Sequence, residues 1–193
     1  EPHVAGVKGI KVPQTGIIDY KQVAQKYAEL ILNKGGEIHL GEKVSSVSEL
    51  HGVSNVVTNK GSYDTSLVIN CAGLYSDKVA QLTEKEQVQV RIIPFRGEYY
   101  EIKPEKQYLV KHLIYPVPDP NFPFLGVHFT RMIGGGIEAG PNAVLAFKRE
   151  GYKKTDFNFS ELKETLAWPG FRSVAAKYWK TGMGEYYRSF SKS

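Results

Sequence analysis

The chain has 193 residues, 41% of them hydrophobic and 23% charged, an ordinary globular composition that can bury a core. No window approaches the roughly 18–20 consecutive apolar residues of a membrane span. The net charge of +5 is spread along the chain without a Lys/Arg block, a zinc knuckle or an RNP-type aromatic motif, which argues against nucleic-acid binding and suits a small anionic substrate.

The single cysteine, Cys71, excludes an internal disulfide and a cysteine-cluster metal site. It points to a reduced, intracellular compartment. The first residues, EPHVAGVKGI, lack a signal-peptide pattern, and the last, EYYRSFSKS, read as the inside of a helix. Both ends look cut, so the expectation is an internal segment of a longer protein.

In chain order, DYKQVAQKYAELILNKGG (19–36) is the clearest helix. Val23, Tyr27, Leu30 and Ile31 make one apolar stripe. Asp19 with Gln22 reads as the N-cap, and Gly35-Gly36 as the stop. The next stretch is rich in β-formers, with strands expected near 37–40, 43–49, 53–59 and 67–71 and turns at Gly41, Gly52 and Asn59-Lys60-Gly61. A helix over 75–83 follows. VQVRIIPFRGEYYEIK (88–103) reads as a long strand interrupted at Pro94 and Gly97. LIYPVPDPNFPFLGVHFT (113–130) reads as two short strands around a Pro-rich turn. RMIGGGIEAGPNAVLA reads as a further hairpin, and from about 156 the chain is helical.

GGGIEAGPNA contains G-x-G-x-x-A at Gly134, Gly136 and Ala139. A dinucleotide fingerprint must open a helix, and Pro141 with flanking strand patterns makes a glycine-rich hairpin turn the better reading. VINCAG (68–73) admits two readings. It is a buried strand ending in a tight turn, or Ala72 and Gly73 are small so that a flat ligand can touch the main chain. Composition alone leans to the first.

In PFRGEYYEI, alternation places Arg96, Glu98 and Tyr100 on one strand face and Phe95 and Tyr99 on the other, unless Gly97 breaks the register. Arg96 suits a carboxylate ligand, because its fork donates two parallel hydrogen bonds; an Arg96–Glu98 surface pair is the equal alternative. His128, in FLGVHFT, is either a hydrogen-bonded core histidine or the best general base in the chain. No His/Asp/Glu set has metal-ligand spacing, and no serine sits in a nucleophile elbow.

VPQTGIIDY, GGEI, CAGLYSDKVA, IIPFRGEYY, HLIYPVPDPNFPFLGVHFTRM and GPNAVLAFKREGY, in this order and spacing, resemble the L-2-hydroxyglutarate oxidase/dehydrogenase family. Its members are FAD-dependent and part of the D-amino-acid-oxidase-like (glycine-oxidase-like) superfamily. The resemblance spans essentially the whole chain and implies an α+β fold. It would comprise part of an FAD-binding domain (1–87, its first strand open to assignment to the other domain) and a substrate-binding domain (88–193) with a mixed, mainly antiparallel sheet and helices. It implies FAD contacts at Cys71, Ala72, Gly73 and Leu74 and a backbone contact at Val44, with the family's G-x-G-x-x-G absent from this chain. The fragment itself is then expected to hold FAD weakly or not at all and to be inactive.

The implied reaction passes the C2 hydrogen of a 2-hydroxy acid to the flavin as hydride, giving 2-oxoglutarate. Arg96 is the expected anchor of one carboxylate. His128 is the expected proton acceptor or hydroxyl orienter, Tyr115 and Tyr99 its hydrogen-bonding neighbours, and Asn142 a donor to a substrate or flavin oxygen. The implied partners are a small dicarboxylate and an electron acceptor, oxygen or a membrane quinone pool. The second would place a cytoplasmic protein peripherally on the inner face of the membrane. An amine or glycine-type oxidase and a non-catalytic binding module are the competing functions.

Overall fold

Asp19 opens the first helix in the manner its position suggests. The computed structural model describes residues 1–83, 88–120 and 126–191. In it, α1 spans Tyr20–Asn33. Asp19 accepts from the Lys21 and Gln22 amides at 2.9 and 3.4 Å, and the Gln22 side chain reaches back to its other oxygen at 3.1 Å. At the far end the Gly36 amide bonds the Ile31 carbonyl and the Gly35 amide bonds the Leu32 carbonyl, with Gly35 at φ +79. This is a Schellman stop, in which the left-handed residue has no Cβ to strain. No residue of α1 is buried; Tyr27, Leu30 and Ile31 of its apolar stripe stay exposed.

The chain divides into two compact units, one of residues 28–94 and one of residues 1–27 with 95–193. In the first, β1 (Val44–Leu50), β2 (Val53–Thr58) and β3 (Ser62–Thr65) form an antiparallel meander. Two-residue His51-Gly52, both at positive φ, joins β1 to β2 as a twisted hairpin turn requires. Val47 is the buried residue of this sheet. Glu42 receives the Thr58 and Tyr63 hydroxyls and Lys60 bonds the Leu40 carbonyl, tying the segment before β1 to the β2–β3 turn.

Two expected strands do not form. Residues 37–40 and 67–71 are irregular, although the second is rich in β-formers. A strand needs a partner ladder, and no described segment supplies one. β3 was not expected, because SYDT lacks an apolar alternation; it forms by pairing with β2. The expected helix over 75–83 is a 3₁₀ turn, Gly73–Tyr75, followed by the short α2, Ser76–Ala80. Buried Asp77 accepts from its own first-turn neighbour Lys78 and from the Ile92 amide at 3.1 Å.

In the second unit β4 (Phe95–Glu101), β5 (His128–Arg131) and β6 (Ile137–Leu145) form an antiparallel sheet in the order β4-β6-β5. The expected long strand is shortened: residues 88–94 are irregular and the ladder starts after Pro94. The glycine-rich stretch is a hairpin loop between β5 and β6, with Gly135 and Gly136 at φ +92 and +88. Among the described residues of 113–127, an isolated bridge forms, Ile114 with Phe129; part of the expected Pro-rich turn, 121–125, lies outside the described residues. A 3₁₀ helix, Pro104–Leu109, was not anticipated.

Ile137 and Val144 on β6 are the largest fully buried side chains, so the core lies on the central strand. Beyond Gly140 no strand among the described residues pairs with the β5 side of β6. There α4 (Pro169–Phe190, kinked at Tyr178) supplies side chains instead. Glu185 accepts from the Ala143 amide at 3.0 Å, and the Tyr186 hydroxyl bonds the Leu145 carbonyl at 2.9 Å. Preceding α3 (Phe159–Ala167) is capped by Asn158, which accepts from the Glu161 amide. The class is α+β, antiparallel sheets with helices, as expected.

Candidate functional site

His128 is the first residue of β5 and stands opposite Gly140 in the ladder. Only 6% of it is exposed. Its Nδ1 lies 3.1 Å from the Gly126 carbonyl oxygen. A carbonyl can only accept, so Nδ1 carries the hydrogen, and the lone pair of the neutral ring is on Nε2. The Tyr115 ring stacks on the imidazole, centroids 4.3 Å apart and planes 13° apart. Its hydroxyl is 3.2 Å from Thr130 Oγ1. Tyr99 presents an edge from another side, at 6.2 Å and 73°. Burial, the negative charge of Glu138 and the nearby Tyr115 push the Tyr99 phenol above its ordinary value, so it remains a neutral hydrogen-bonding group. His128, Tyr115 and Tyr99 are thus brought together, and the arrangement directs the imidazole Nε2 away from the Gly126 carbonyl, with Tyr115 stacked on the ring and Tyr99 edge-on to it.

The seat of Tyr99 is a local irregularity. Glu98 pairs with Asn142 and Tyr100 with Ala139, so Gly140 and Pro141 together face Tyr99. The register therefore breaks opposite Tyr99, on β6, and not at Gly97. The Tyr99 ring fills the place of the missing Gly140 side chain.

Arg96 and Glu98 share a face, and the anticipated pair forms, in a sheltered setting. Arg96 Nη2 and Nε donate to Glu98 Oε1 at 2.7 and 3.1 Å, and Nη1 donates to the Lys153 and Gly151 carbonyls. Burial works against ionisation of Glu98, but the Ser189 hydroxyl, Arg96 and Lys154 outweigh it and hold its carboxyl below the usual range. Tyr100 joins the same face, donating to the Arg188 and Ser191 carbonyls. Arg96, Glu98, Tyr99, Lys153, Lys154 and Ser189 are among the residues lining an open cavity of about 440 Å³. Its charged lining is three cations against one carboxylate. Arg96 is thereby fixed as a brace between β4 and the 151–153 loop, and its fork is largely engaged.

Asn142 is buried and holds α4. Its amide donates to the Glu185 carbonyl at 2.9 Å, and its oxygen accepts from Arg188 Nε at 3.2 Å. Arg188 is also paired with Glu185. The structure gives Asn142 these partners in place of an outward-facing role.

In the other unit, Val44 opens β1 opposite Thr58, just before an irregularity in register at Ser45. Cys71, Ala72 and Gly73 are exposed, and Leu74 lies in the following 3₁₀ turn. The Ala72 amide bonds the Asn70 side chain, which also holds the Ser76 carbonyl. Gly73 has φ +53, and that conformation alone accounts for a glycine. A Cβ added there meets nothing within 4 Å. Among the described residues none plugs this turn, and the small residues leave the backbone open to a flat group such as FAD. In this respect they fit one.

Thr130 and Gly140 were missed by the sequence reading. Thr130 lies two residues beyond His128 on one strand, a spacing that puts both on one face. Gly140, directly before Pro141, carried the signature of a strand irregularity. For Glu185, mid-helix, no local signal existed. Among the described residues no group of three or more His, Cys, Asp or Glu side chains is placed to hold a metal, and no helix is long and apolar enough to cross a membrane.

Residues 1–184 match the family of FAD dependent oxidoreductases (DAO). A protein of Indibacter alkaliphilus named L-2-hydroxyglutarate dehydrogenase is 70% identical over 192 residues, 100% of this chain and 48% of that protein. An Escherichia coli K12 protein of the same name is 45% identical over 194 residues, 100% of this chain and 46% of its own. The human L-2-hydroxyglutarate dehydrogenase, mitochondrial, is 40% identical over 201 residues, 98% of this chain and 43% of its own. The chain spans about half the length of these curated relatives.

Proposed function

This chain belongs to the FAD dependent oxidoreductase family, and on that premise we propose that the whole protein oxidises L-2-hydroxyglutarate to 2-oxoglutarate. The name carried by its similar relatives supports the substrate. The observation that carries the chemistry is the buried His128 ring, whose Nδ1–H is held by a carbonyl so that Nε2 is left basic.

Oxidation of a 2-hydroxy acid removes the C2 hydrogen with its electron pair and the hydroxyl proton. FAD, when bound, supplies the hydride acceptor. His128 Nε2 takes the hydroxyl proton, a role that needs a neutral imidazole within hydrogen-bond reach. Tyr115 covers one face of that ring and keeps water from it. The Tyr99 phenol, kept neutral, hydrogen-bonds the substrate hydroxyl or carboxylate.

Arg96 anchors one carboxylate only by exchanging Glu98 or a loop carbonyl for it, with Lys153 and Lys154 adding positive charge around the same cavity. Such a cavity attracts a dicarboxylate before any direct contact forms. Asn142 reaches a substrate or flavin oxygen only by exchanging its Glu185 partner. Val44 and Cys71–Leu74 contribute to the FAD site. We assign 1–87 to a partial FAD-binding domain and 88–193 to a substrate-binding domain, and we place the protein in the cytoplasm, with oxygen or a membrane quinone pool reached from the inner face as the two candidate electron acceptors.

Steady-state turnover by the complete, FAD-loaded protein tests the reading, with L-2-hydroxyglutarate, its D enantiomer and glycine compared. Selective oxidation of the L-hydroxy acid is expected. Turnover of glycine without turnover of the hydroxy acid would end it.

A further inference from the structure

We infer that Thr130 is a positioning residue for this reaction, holding Tyr115 flat on His128 so that the imidazole keeps its Nδ1–H on Gly126 and its lone pair on Nε2. The inference rests on the reading of His128 as the proton acceptor.

The frame has three supports. The first is backbone: Ile114 and Phe129 exchange both hydrogen bonds, at 3.0 and 2.9 Å, so the main chain beside Tyr115 is fixed to β5 next to His128. The second is the parallel stack of the two rings at 4.3 Å. The third is the bond of 3.2 Å between the Tyr115 and Thr130 hydroxyls. Thr130 is itself held by pairing with Glu138 of β6.

The third support is needed because Tyr115 is 50% exposed. An aromatic ring with one face in water loses little by turning away, and stacking alone does not fix its angle. Tethering the far end of the ring removes that freedom. If Tyr115 swings out, the imidazole can rotate about its own side-chain bond and exchange the Gly126 carbonyl for water. Water accepts from either nitrogen, so the Nε2–H tautomer becomes populated, and that form presents no base at Nε2.

The test uses Thr130→Val, which keeps the shape and removes the hydroxyl, and Thr130→Ser, which restores the hydroxyl with less bulk. Both are made in the complete, FAD-loaded protein and read in two ways. The ring ¹⁵N shifts of His128, assigned against His128→Gln, report the tautomer; steady-state kinetics report kcat and KM separately. Thr130→Val is expected to move the ¹⁵N shifts toward a tautomer mixture and to lower kcat about 10-fold, with KM changed by less than about 2-fold. Thr130→Ser is expected to recover both signals.

Unchanged shifts and kcat in Thr130→Val, or a serine variant no better than the valine, overturn the role of Thr130. His128→Gln at wild-type turnover removes the proton-acceptor reading, and with it any catalytic consequence of the clamp. The two failures are told apart because the ¹⁵N signature does not depend on turnover.

Discussion

Gly140 leaves the space that Tyr99 fills: a Cβ added to Gly140 would lie 2.6 Å from Tyr99 Cδ1 and 2.9 Å from the Glu98 carbonyl oxygen. The first contact could be relieved by moving a ring, but the second is with backbone inside a ladder. Gly140→Ala is therefore expected to destabilise the second unit by about 1–3 kcal/mol, the usual range for overpacking. It should also displace Tyr99 from the edge of His128. Urea unfolding read by tyrosine fluorescence measures the first effect, and an unchanged midpoint would contradict the contact.

His128 faces a sharper test. In the complete enzyme, His128→Ala is expected to lower kcat about 10²-fold or more, the contribution typical of a positioned general base. The loss should shrink at alkaline pH, where the substrate hydroxyl can pass its proton to hydroxide. Near-normal turnover at neutral pH would remove the residue from the mechanism.

Glu98 links stability to acidity. Its folded carboxyl is held below the usual range by Ser189, Arg96 and Lys154 against the opposing effect of burial. A depressed folded pKa contributes stability that is fully present above the unfolded value of about 4.3 and disappears as pH falls through the folded value. Glu98→Gln should flatten the stability curve in that acid window and leave its slope near neutrality alone. Melting temperatures from pH 7 down to pH 3 check this; parallel curves for the two proteins would contradict it.

Glu185 holds the edge of β6 by accepting from the Ala143 amide. Replacing it with Ala leaves the Ala143 amide and Arg188 without the acceptor they share. An unsatisfied buried donor costs about 1–3 kcal/mol, so Glu185→Ala should lower stability by that order, and Glu185→Gln, which keeps an acceptor oxygen, by less. Equal unfolding midpoints for the two variants would argue that the carboxylate does not support β6.

Asp19→Ala removes the acceptor of two α1 amides. The expected loss is about 1 kcal/mol, with amide hydrogen exchange accelerating first at the N-terminal turn of α1. Faster exchange confined to the C-terminal turn would contradict the cap.

How far the sequence could be read depends on the span of each interaction. The cap at Asp19, the Schellman stop at Gly35 and the turns at Gly52 and Gly61 are closed by hydrogen bonds between residues no more than five apart. They were therefore legible in order. So was the rejection of Gly134–Gly136 as a nucleotide loop, since a hairpin and a helix need different backbone there. The family likeness was also legible, because it lies in the order of short strings, and it spans the match over residues 1–184.

What only the tertiary structure decided is who meets whom across the fold. Residues 67–71 have the composition of a strand yet pair with no described segment, while Ser62–Thr65 lacks it and pairs. Arg96, read as equally a ligand for a carboxylate or a partner of Glu98, bonds Glu98 and carbonyls more than fifty residues away. Asn142 bonds a helix 43 residues on. His128 could be named from its type and place in a strand. Its Nδ1 partner is the Gly126 carbonyl, its stacking ring is Tyr115, and Tyr99, seated on Gly140, stands at its edge. The sequence by itself determined the local hydrogen bonds and the residue types on offer; packing between distant segments chose their partners, because those contacts form only once non-local strands and helices have closed on one another.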